Sequence, residues 1–173
     1  MNKALFLDRD GVINTRLVNA YVRTPEEFEL IPEIVPILTL ARERGCLLVL
    51  ITNQQGVGKG LMSMNDLERV HEHMQECLLS AGAPQIDAIY YCTDLDGTQS
   101  THRKPAPGML LDAMRDHDID AARSWFVGDS RSDAEAGRAA GVDTMLIGSY
   151  DEHAADIVVG SHTEALTFLV QVL

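Results

Sequence analysis

Two aspartates stand two positions apart directly after the first apolar run of the chain. The segment reads FLDRDGVIN from Phe6 and contains Asp8 and Asp10. An aspartate can attack a phosphoryl group as a nucleophile, which divides one difficult displacement into two easier steps. A second carboxylate, here Asp10, can give a proton to the leaving alcohol and later take one from water. The pair is therefore suited to a reaction in which one carboxylate attacks and the other moves protons.

Further polar residues stand near the ends of later apolar runs. Thr52 and Asn53 directly follow the run LeuLeuValLeuIle, Lys104 precedes a helical segment, and GlyAspSerArgSerAsp (128–133) follows TrpPheVal. If these runs are parallel strands, their carboxyl ends meet at one edge of the sheet, where ligands bind in open α/β sheets. We therefore expect these polar groups to gather with the aspartate pair around one ligand.

The gathered side chains could hold a metal ion and a phosphate. Asp8 and Asp129 could bind Mg²⁺, which in proteins uses one or two carboxylates together with a substrate phosphate. The Thr52 hydroxyl and the Lys104 ammonium could hold the remaining phosphoryl oxygens, where charge must be balanced during transfer. The expected ligand is a small phosphorylated metabolite.

The elements that must position these residues are short apolar runs that alternate with segments of helical spacing. The runs predict strands at 4–7, 47–51, 89–91, 125–127, 145–147 and 157–159, and the spacing predicts helices near 34–41, 67–78, 107–117, 132–140 and 163–173. Strands that are apolar throughout and separated by helices indicate a parallel sheet covered on both faces. We predict a doubly wound α/β fold with a mostly parallel, Rossmann-like sheet, forming a single domain over residues 1–173.

Composition excludes several classes of protein. Although 46% of the residues are apolar, no uninterrupted apolar stretch approaches the length of a membrane span, and the N-terminus has no features of a signal peptide. The net charge of −12 opposes nucleic-acid binding, which depends on clustered Lys and Arg. The three cysteines lie in apolar segments and are expected to be buried and unpaired. We expect a cytoplasmic monomer with no membrane or nucleic-acid partner.

Four ordered motifs resemble the haloacid dehalogenase superfamily of Mg²⁺-dependent phosphatases. They are PheLeuAspArgAspGlyValIleAsn, IleThrAsnGlnGlnGlyValGlyLysGly, ArgLysProAlaProGlyMet and ValGlyAspSerArgSerAsp, and the likeness extends from Leu5 to about Gly141. The second and third motifs resemble the branch that holds D-glycero-D-manno-heptose 1,7-bisphosphate phosphatase and histidinol phosphatase. The fold that this resemblance implies agrees with the one predicted from the apolar runs.

The resemblance implies a role for each catalytic position. Asp8 is the implied nucleophile and Asp10 the general acid and base, while Thr52 and Lys104 hold the phosphoryl group. The implied Mg²⁺ ligands are Asp8, the backbone carbonyl of Asp10, and Asp129.

Five further residues are implied to contact substrate. Asn53, Gln54 and Arg103 fall where the heptose branch contacts its substrate, and Asn19 and Tyr21 fall in the loop after the first motif, which in that branch touches the sugar.

Other residues are expected to be structural. Two interpretations of Asp133 remain open: it belongs to the site, or it only fixes the loop geometry or caps the following helix. Asp94 and Asp96 resemble the first motif, but Asp94 stands only ten residues before Lys104, so the two are expected to form a turn. His71 and His73 do not share a helical face, and we expect them to be surface residues that bind no metal.

The segment between Cys92 and Lys104 departs from the heptose branch. That branch often carries a zinc loop here, with a CxH and a CxC pair, but this chain has Cys92, Asp94, Ser100 and His102 at those places. Because a structural zinc site normally has four nitrogen or sulfur ligands, we predict that no zinc is bound. No insertion is large enough to form a cap domain, so the site is expected to be open.

The predicted activity is that of a Mg²⁺-dependent phosphomonoesterase acting through an aspartyl-phosphate. Its implied substrate is heptose 1,7-bisphosphate, from which the 7-phosphate is removed. Histidinol phosphate or another small metabolite is an alternative, and a 3′-phosphatase for nucleic-acid ends is opposed by the acidity. An alternative from another class is a non-catalytic, phosphate-binding regulatory domain. Such a domain could dispense with the proton-moving Asp10, which this chain retains.

Overall fold

The computed structural model describes all 173 residues, and its centre is one six-stranded parallel sheet. The strands are β1 (Lys3–Leu7), β2 (Cys46–Asn53), β3 (Ala88–Cys92), β4 (Trp125–Gly128), β5 (Asp143–Ile147) and β6 (Ile157–Val159). Their order across the sheet is β3-β2-β1-β4-β5-β6, and every neighbouring pair is parallel. This is the doubly wound order, so the predicted fold class is confirmed.

Six helices connect the strands. They are α1 (Ile34–Glu43), α2 (Gln55–Gly58), α3 (Met64–Ser80), α4 (Gly108–Asp116), α5 (Arg131–Ala140) and α6 (His162–Val172), with 3₁₀ turns at Pro25–Glu27 and Ala121–Arg123. Each predicted helix is present, with ends that differ by a few residues. Helix α2 was not predicted, because four residues are too few to show helical periodicity. None of the helices is long enough and apolar enough to cross a lipid bilayer.

Alternate residues of β1 reach opposite faces of the sheet. Leu5 and Leu7 join a core with α1, α3 and α6, whereas Ala4 and Phe6 join a second core with α4 and α5. All four side chains are completely buried. Helices on both faces therefore explain why the strands are apolar throughout instead of alternating.

The inner face of α3 also buries a histidine. His71 is only 6% exposed, so the prediction that it is a surface residue is wrong. His73 lies two residues further along α3 and is partly exposed, with its Nε2 3.3 Å from the Cys77 sulfur. The motif spacing gave no sign of the difference, because it depends on which face of α3 packs against the sheet.

The start of α5 is fixed by its own side chains. Ser130 and Asp133 form a capping box, in which the side chain of each residue accepts the backbone N–H of the other. Ser63 and Asp66 form the same motif at the start of α3, and their spacing of three residues is a helix-start signature that is visible in the sequence. Because α5 begins three residues after β4 ends, its cap sets the geometry of the intervening Asp129.

One edge of the sheet carries all the polar residues of interest. β1 ends at Leu7, β2 at Asn53 and β4 at Gly128, so the residues that follow them emerge side by side. The strand order reverses between β1 and β4, which is where doubly wound sheets form a crevice. The segments around this crevice contain no separate folded unit, so the prediction that a large cap domain is absent is confirmed.

Candidate active site

The ammonium of Lys104 lies at the centre of the crevice and is almost completely buried. Its Nζ donates to the carbonyl of Ile51 at 2.8 Å and pairs with Asp8 Oδ1 at 2.8 Å and Asp133 Oδ1 at 2.6 Å. These three acceptors match the three hydrogens of an ammonium group. Burial works against the charge, but Asp133 and Asp8 outweigh it and raise the pKa of Lys104.

Asp8 follows β1 directly and is held from two sides. Its Oδ1 accepts the backbone N–H of Arg9 at 2.8 Å and contacts the Lys104 ammonium. Burial raises the pKa of Asp8 to about 6; Lys104 opposes the rise and Asp133 adds to it. A carboxylate in this position has its charge offset by one fixed cation, which suits approach of an anionic phosphate.

Asp129 and Asp133 complete an acidic cluster with Asp8. One ligand oxygen from each of the three carboxylates lies within 4.8 Å of the others. Burial, with Asp8 nearby, raises the pKa of Asp129 to about 7. Carboxylates forced together in this way are stabilised by a divalent cation, because Mg²⁺ prefers oxygen ligands and offsets their repulsion.

The Asp129 carboxylate occupies space that a side chain at position 11 would fill. A Cβ added to Gly11, whose φ is +93°, would lie 1.8 Å from Asp129 Oδ2. Glycine at position 11 therefore makes room for the Asp129 side chain.

Asp133 is placed differently from the other two carboxylates. Its Oδ2 accepts the backbone N–H groups of Asp129 and Ser130 at 3.1 and 2.9 Å, while Oδ1 pairs with Lys104. Of the two interpretations left by the sequence, capping is therefore present, and the contact with Lys104 also ties Asp133 to the site.

The Arg16 guanidinium shows that the pocket beside Asp129 accepts positive charge. Its Nη2 lies 2.6 Å from Asp129 Oδ1 and 3.3 Å from the backbone carbonyl of Asp10. These oxygens are two of the three ligands implied for Mg²⁺. The donor set, which consists of oxygen atoms, thus fits a hard cation.

The Asp10 carboxylate accepts hydrogen bonds from a network of side-chain donors. Both of its oxygens accept from Arg9 Nη2, at 3.1 and 3.0 Å, and Asn14 Nδ2 and Gln54 Nε2 donate at 2.9 and 3.2 Å. Burial works against its charge, but Arg9 and the hydrogen bonds from Asn14, Arg9 and Gln54 outweigh it and lower the pKa of Asp10.

A cavity of about 370 Å³ opens in front of Asp8 and Lys104. Its walls include Asp10 and four of the residues implied to contact substrate, namely Asn19, Tyr21, Asn53 and Arg103. Asn53 makes a reciprocal pair with Lys104: its Nδ2 donates to the Lys104 carbonyl and its Oδ1 accepts the Lys104 N–H, each at 3.0 Å. The Tyr21 hydroxyl accepts from Lys59 Nζ at 2.8 Å at the rim.

Two residues implied for phosphate or substrate contact lie behind the cavity wall. Thr52 and Gln54 are each 1% exposed, and Gln54 Nε2 donates to Thr52 Oγ1 at 2.9 Å as well as to Asp10. The next residue, Gln55, lines the cavity in place of Gln54. Sequence reasoning missed Gln55, Arg16, Ser130 and Ser132 as lining residues, and no spacing signal distinguishes them from ordinary loop residues.

Comparisons with known proteins agree with this geometry. Residues 101–165 match the HAD-hydrolase-like family model. A D-glycero-beta-D-manno-heptose-1,7-bisphosphate 7-phosphatase of Helicobacter pylori (strain J99) is 40% identical over 146 residues, which cover 84% of this chain and 83% of that protein. The chain belongs to the haloacid dehalogenase superfamily.

Other members of the superfamily support a phosphatase of the heptose-bisphosphate branch. A D-glycero-alpha-D-manno-heptose-1,7-bisphosphate 7-phosphatase of Burkholderia mallei is 38% identical over 180 residues, covering 97% of this chain and 94% of that protein. The crystal structure of D,D-heptose 1,7-bisphosphate phosphatase from B. bronchiseptica, complexed with magnesium and phosphate, has a TM-score of 0.86 and 30% identity, with 98% of each chain covered. This haloacid dehalogenase protein is thus a phosphoric monoester hydrolase.

The loop between Cys92 and Lys104, where the resemblance implied a possible zinc site, is held by hydrogen bonds. Ser100 Oγ accepts the N–H groups of His102 and Arg103 at 3.2 and 2.9 Å and lies 3.7 Å from the Cys92 sulfur. The His102 ring is engaged at both nitrogens, by Asp112 at 2.9 Å and by Thr101 at 3.0 Å. The four positions therefore do not form a site with four nitrogen or sulfur ligands.

The expected turn lies within the same loop. Asp96 and Gly97 form the turn, and Gly97 has a φ of +79°. The Asp94 carbonyl accepts from Arg103 at 3.2 Å, so this loop also positions a cavity residue.

Because hydrogen bonds hold this loop, we predict that the fold does not depend on zinc. The purified protein is expected to contain no stoichiometric zinc by mass spectrometry, and a zinc-selective chelator should leave its Tm unchanged. For a chain of this length, a loss of about 1 kcal/mol in the free energy of unfolding lowers Tm by about 2–4 °C. Loss of a structural ion would therefore give a measurable fall in Tm. Stoichiometric zinc, or a fall in Tm that added zinc reverses, would contradict the prediction.

The raised pKa of Asp129, about 7, predicts that protons compete with Mg²⁺. Its carboxyl group holds a proton below that pH and must release it to bind the ion, so binding weakens as the pH falls. Between about pH 8 and about pH 6 the dissociation constant for Mg²⁺ should rise roughly tenfold, as measured by calorimetry. Asp129→Asn should bind poorly at both values, while the exposed Asp118→Asn should behave as the parent. A constant independent of pH would refute the prediction.

Proposed function

We propose that this chain is a Mg²⁺-dependent phosphatase that removes the 7-phosphate of D-glycero-D-manno-heptose 1,7-bisphosphate through an aspartyl-phosphate. The observation that carries the proposal is the buried Asp8 carboxylate, which contacts Lys104 at 2.8 Å, lies in the acidic cluster and opens on the cavity. The substrate is supported by the relatives from Helicobacter pylori and Burkholderia mallei, which are named for this activity.

The residues proposed to hold Mg²⁺ are Asp8, Asp129 and the carbonyl of Asp10. When bound, the ion supplies positive charge that offsets repulsion between the Asp8 carboxylate and the phosphate. Lys104 supplies a second, fixed positive charge beside Asp8. Thr52 lies near the end of β2 and supports Gln54, whose Nε2 donates to the Thr52 hydroxyl.

In the first proposed step an Asp8 oxygen attacks the phosphorus, and the bond from phosphorus to the sugar oxygen breaks. Asp10 gives that oxygen its proton, so the leaving group departs as an alcohol. In the second step Asp10, now a carboxylate, takes a proton from water, which attacks the phosphorus and releases Asp8. Arg9 and the hydrogen bonds that lower the pKa of Asp10 favour its carboxylate form, which is the form that this second step uses.

The cavity walls offer groups for the far end of the substrate. Arg103 and Asn19 line the cavity together with Tyr21, and Arg16 reaches the same space with half of its side chain exposed. A substrate with a second phosphate would meet two guanidinium groups here, and Arg forms the strongest pairs with phosphate. This favours a bisphosphate over a monophosphate with an uncharged far end.

We also propose that the protein acts as a monomer in the cytoplasm. The three cysteines are free, and two of them are buried, as is usual for proteins of reducing compartments. The net charge of −12 supports a small-molecule partner over nucleic acid.

Phosphate release with Mg²⁺ tests the proposal directly. The substrates are both anomers of heptose 1,7-bisphosphate, histidinol phosphate, p-nitrophenyl phosphate and a 3′-phosphorylated oligonucleotide. One heptose anomer should give the highest kcat/KM, and Asp8→Asn should lower kcat by at least roughly 10³-fold while leaving Tm and circular dichroism intact. The nucleophile is lost in this variant, but its size is conserved.

The matched control is Asp94→Asn, which removes a carboxylate from the second, similar motif. Because Asp94 is on the exposed loop, this variant should keep most of its activity. Unchanged hydrolysis by Asp8→Asn would contradict the assignment of Asp8 as the nucleophile. Cleavage of only the aryl phosphate would leave the chemistry standing with another substrate, and no cleavage at all would favour a phosphate-binding domain.

A further inference from the structure

A buried histidine and a buried arginine form a chain that ends at Asp10. His71 Nε2 on α3 lies 3.4 Å from Nη1 of Arg9, and Arg9 Nη2 contacts both carboxylate oxygens of Asp10 at 3.1 and 3.0 Å. The Arg9 side chain is completely buried. Neither Arg9 nor His71 lines the cavity, so neither is placed to touch a substrate.

Arg9 has few contacts that could fix its direction. Its Nε has no hydrogen-bond partner, which leaves Asp10 and His71 as the only groups that accept from its side chain. The two acceptors together fix the orientation of the buried guanidinium. If His71 no longer accepts, Asp10 becomes the only remaining acceptor, and the angle between the two groups is no longer determined.

The state of the His71 ring suits this role. Burial and the neighbouring Arg9 lower the pKa of His71 to about 3, so the ring is neutral at physiological pH. A neutral ring can accept at Nε2 when its proton is on Nδ1, whereas a protonated ring could not accept from Arg9 at all. The Tyr91 ring packs beside it, with centroids 5.8 Å apart, and limits its rotation.

We propose that His71 is a positioning residue for proton transfer, acting through Arg9 to fix the direction in which Asp10 presents its carboxylate. The inference rests on the proposed function, because it needs Asp10 to move protons. Small errors in the position of a catalytic group are costly, since a shift of about 1 Å can lower the rate roughly 10²-fold.

The dependence of the rate on the leaving group separates positioning from a merely structural role. A sugar alkoxide is a poor leaving group and needs the proton from Asp10, whereas p-nitrophenolate departs without one. The parameter kcat/KM covers the steps up to departure of the leaving group. Loss of alignment at Asp10 should therefore lower kcat/KM for heptose bisphosphate and spare kcat/KM for p-nitrophenyl phosphate.

Three variants of His71 form a matched set. Gln carries an acceptor near the place of Nε2, Asn carries one only near the place of Nδ1, and Leu carries none. We expect His71→Asn and His71→Leu to lose about 10- to 100-fold in kcat/KM for heptose bisphosphate. On p-nitrophenyl phosphate their kcat/KM should change less than about threefold, and a burst of p-nitrophenol should appear because attack by water also needs Asp10. His71→Gln should keep most of the activity on both substrates.

Two reference variants make failure of this inference distinct from failure of the proposed function. Asp10→Asn should show the same dependence on the leaving group, more strongly, and His73→Leu on the same helix should match the parent. Equal losses on both substrates, or no loss on either, in a folded His71→Asn would overturn the positioning role. If Asp10→Asn itself does not discriminate between the substrates, the assignment of Asp10 is wrong and the inference falls with it.

Discussion

The buried ammonium of Lys104 is the interaction on which the site depends. Asp8 and Asp133 are two buried carboxylates that contact the same ammonium, and a cation with all three hydrogens engaged offsets the repulsion between them. The same contacts join β1, the end of β2, the loop before α4 and the start of α5. Because Asp133 also caps α5, the position of Asp129 is tied to the charge balance, so loop geometry and electrostatics are determined together.

Much of this architecture could be predicted from local patterns in the sequence. The apolar runs identified every strand, because a parallel strand buried on both faces is apolar throughout. Helical spacing and the Ser63 cap located the longer helices. The gathering of Asp8, Asp129 and Lys104 also followed from the strands, since the carboxyl ends of neighbouring parallel strands must lie side by side.

The features that could not be predicted depend on which way a side chain turns within a correctly placed segment. Gln54 and Gln55 are adjacent and chemically identical, yet one supports Asp10 from behind and the other lines the cavity. The spacing of His71 and His73 excluded a shared metal but could not show that α3 turns only His71 inward toward Arg9. The position of Arg16 beside Asp129 depends on the path of an irregular loop, which no periodic pattern describes.

The lack of a cap over the crevice bears on the fate of the proposed aspartyl-phosphate. Without a folded lid, bulk water can reach the mouth of the cavity throughout the reaction, and a phosphoryl group on Asp8 would stay within reach of that water. An enzyme that must pass its phosphoryl group to another sugar has to exclude solvent first, because water would otherwise intercept it. The open crevice thus favours hydrolysis of the phosphoryl group over its transfer to a second sugar, as a mutase would require.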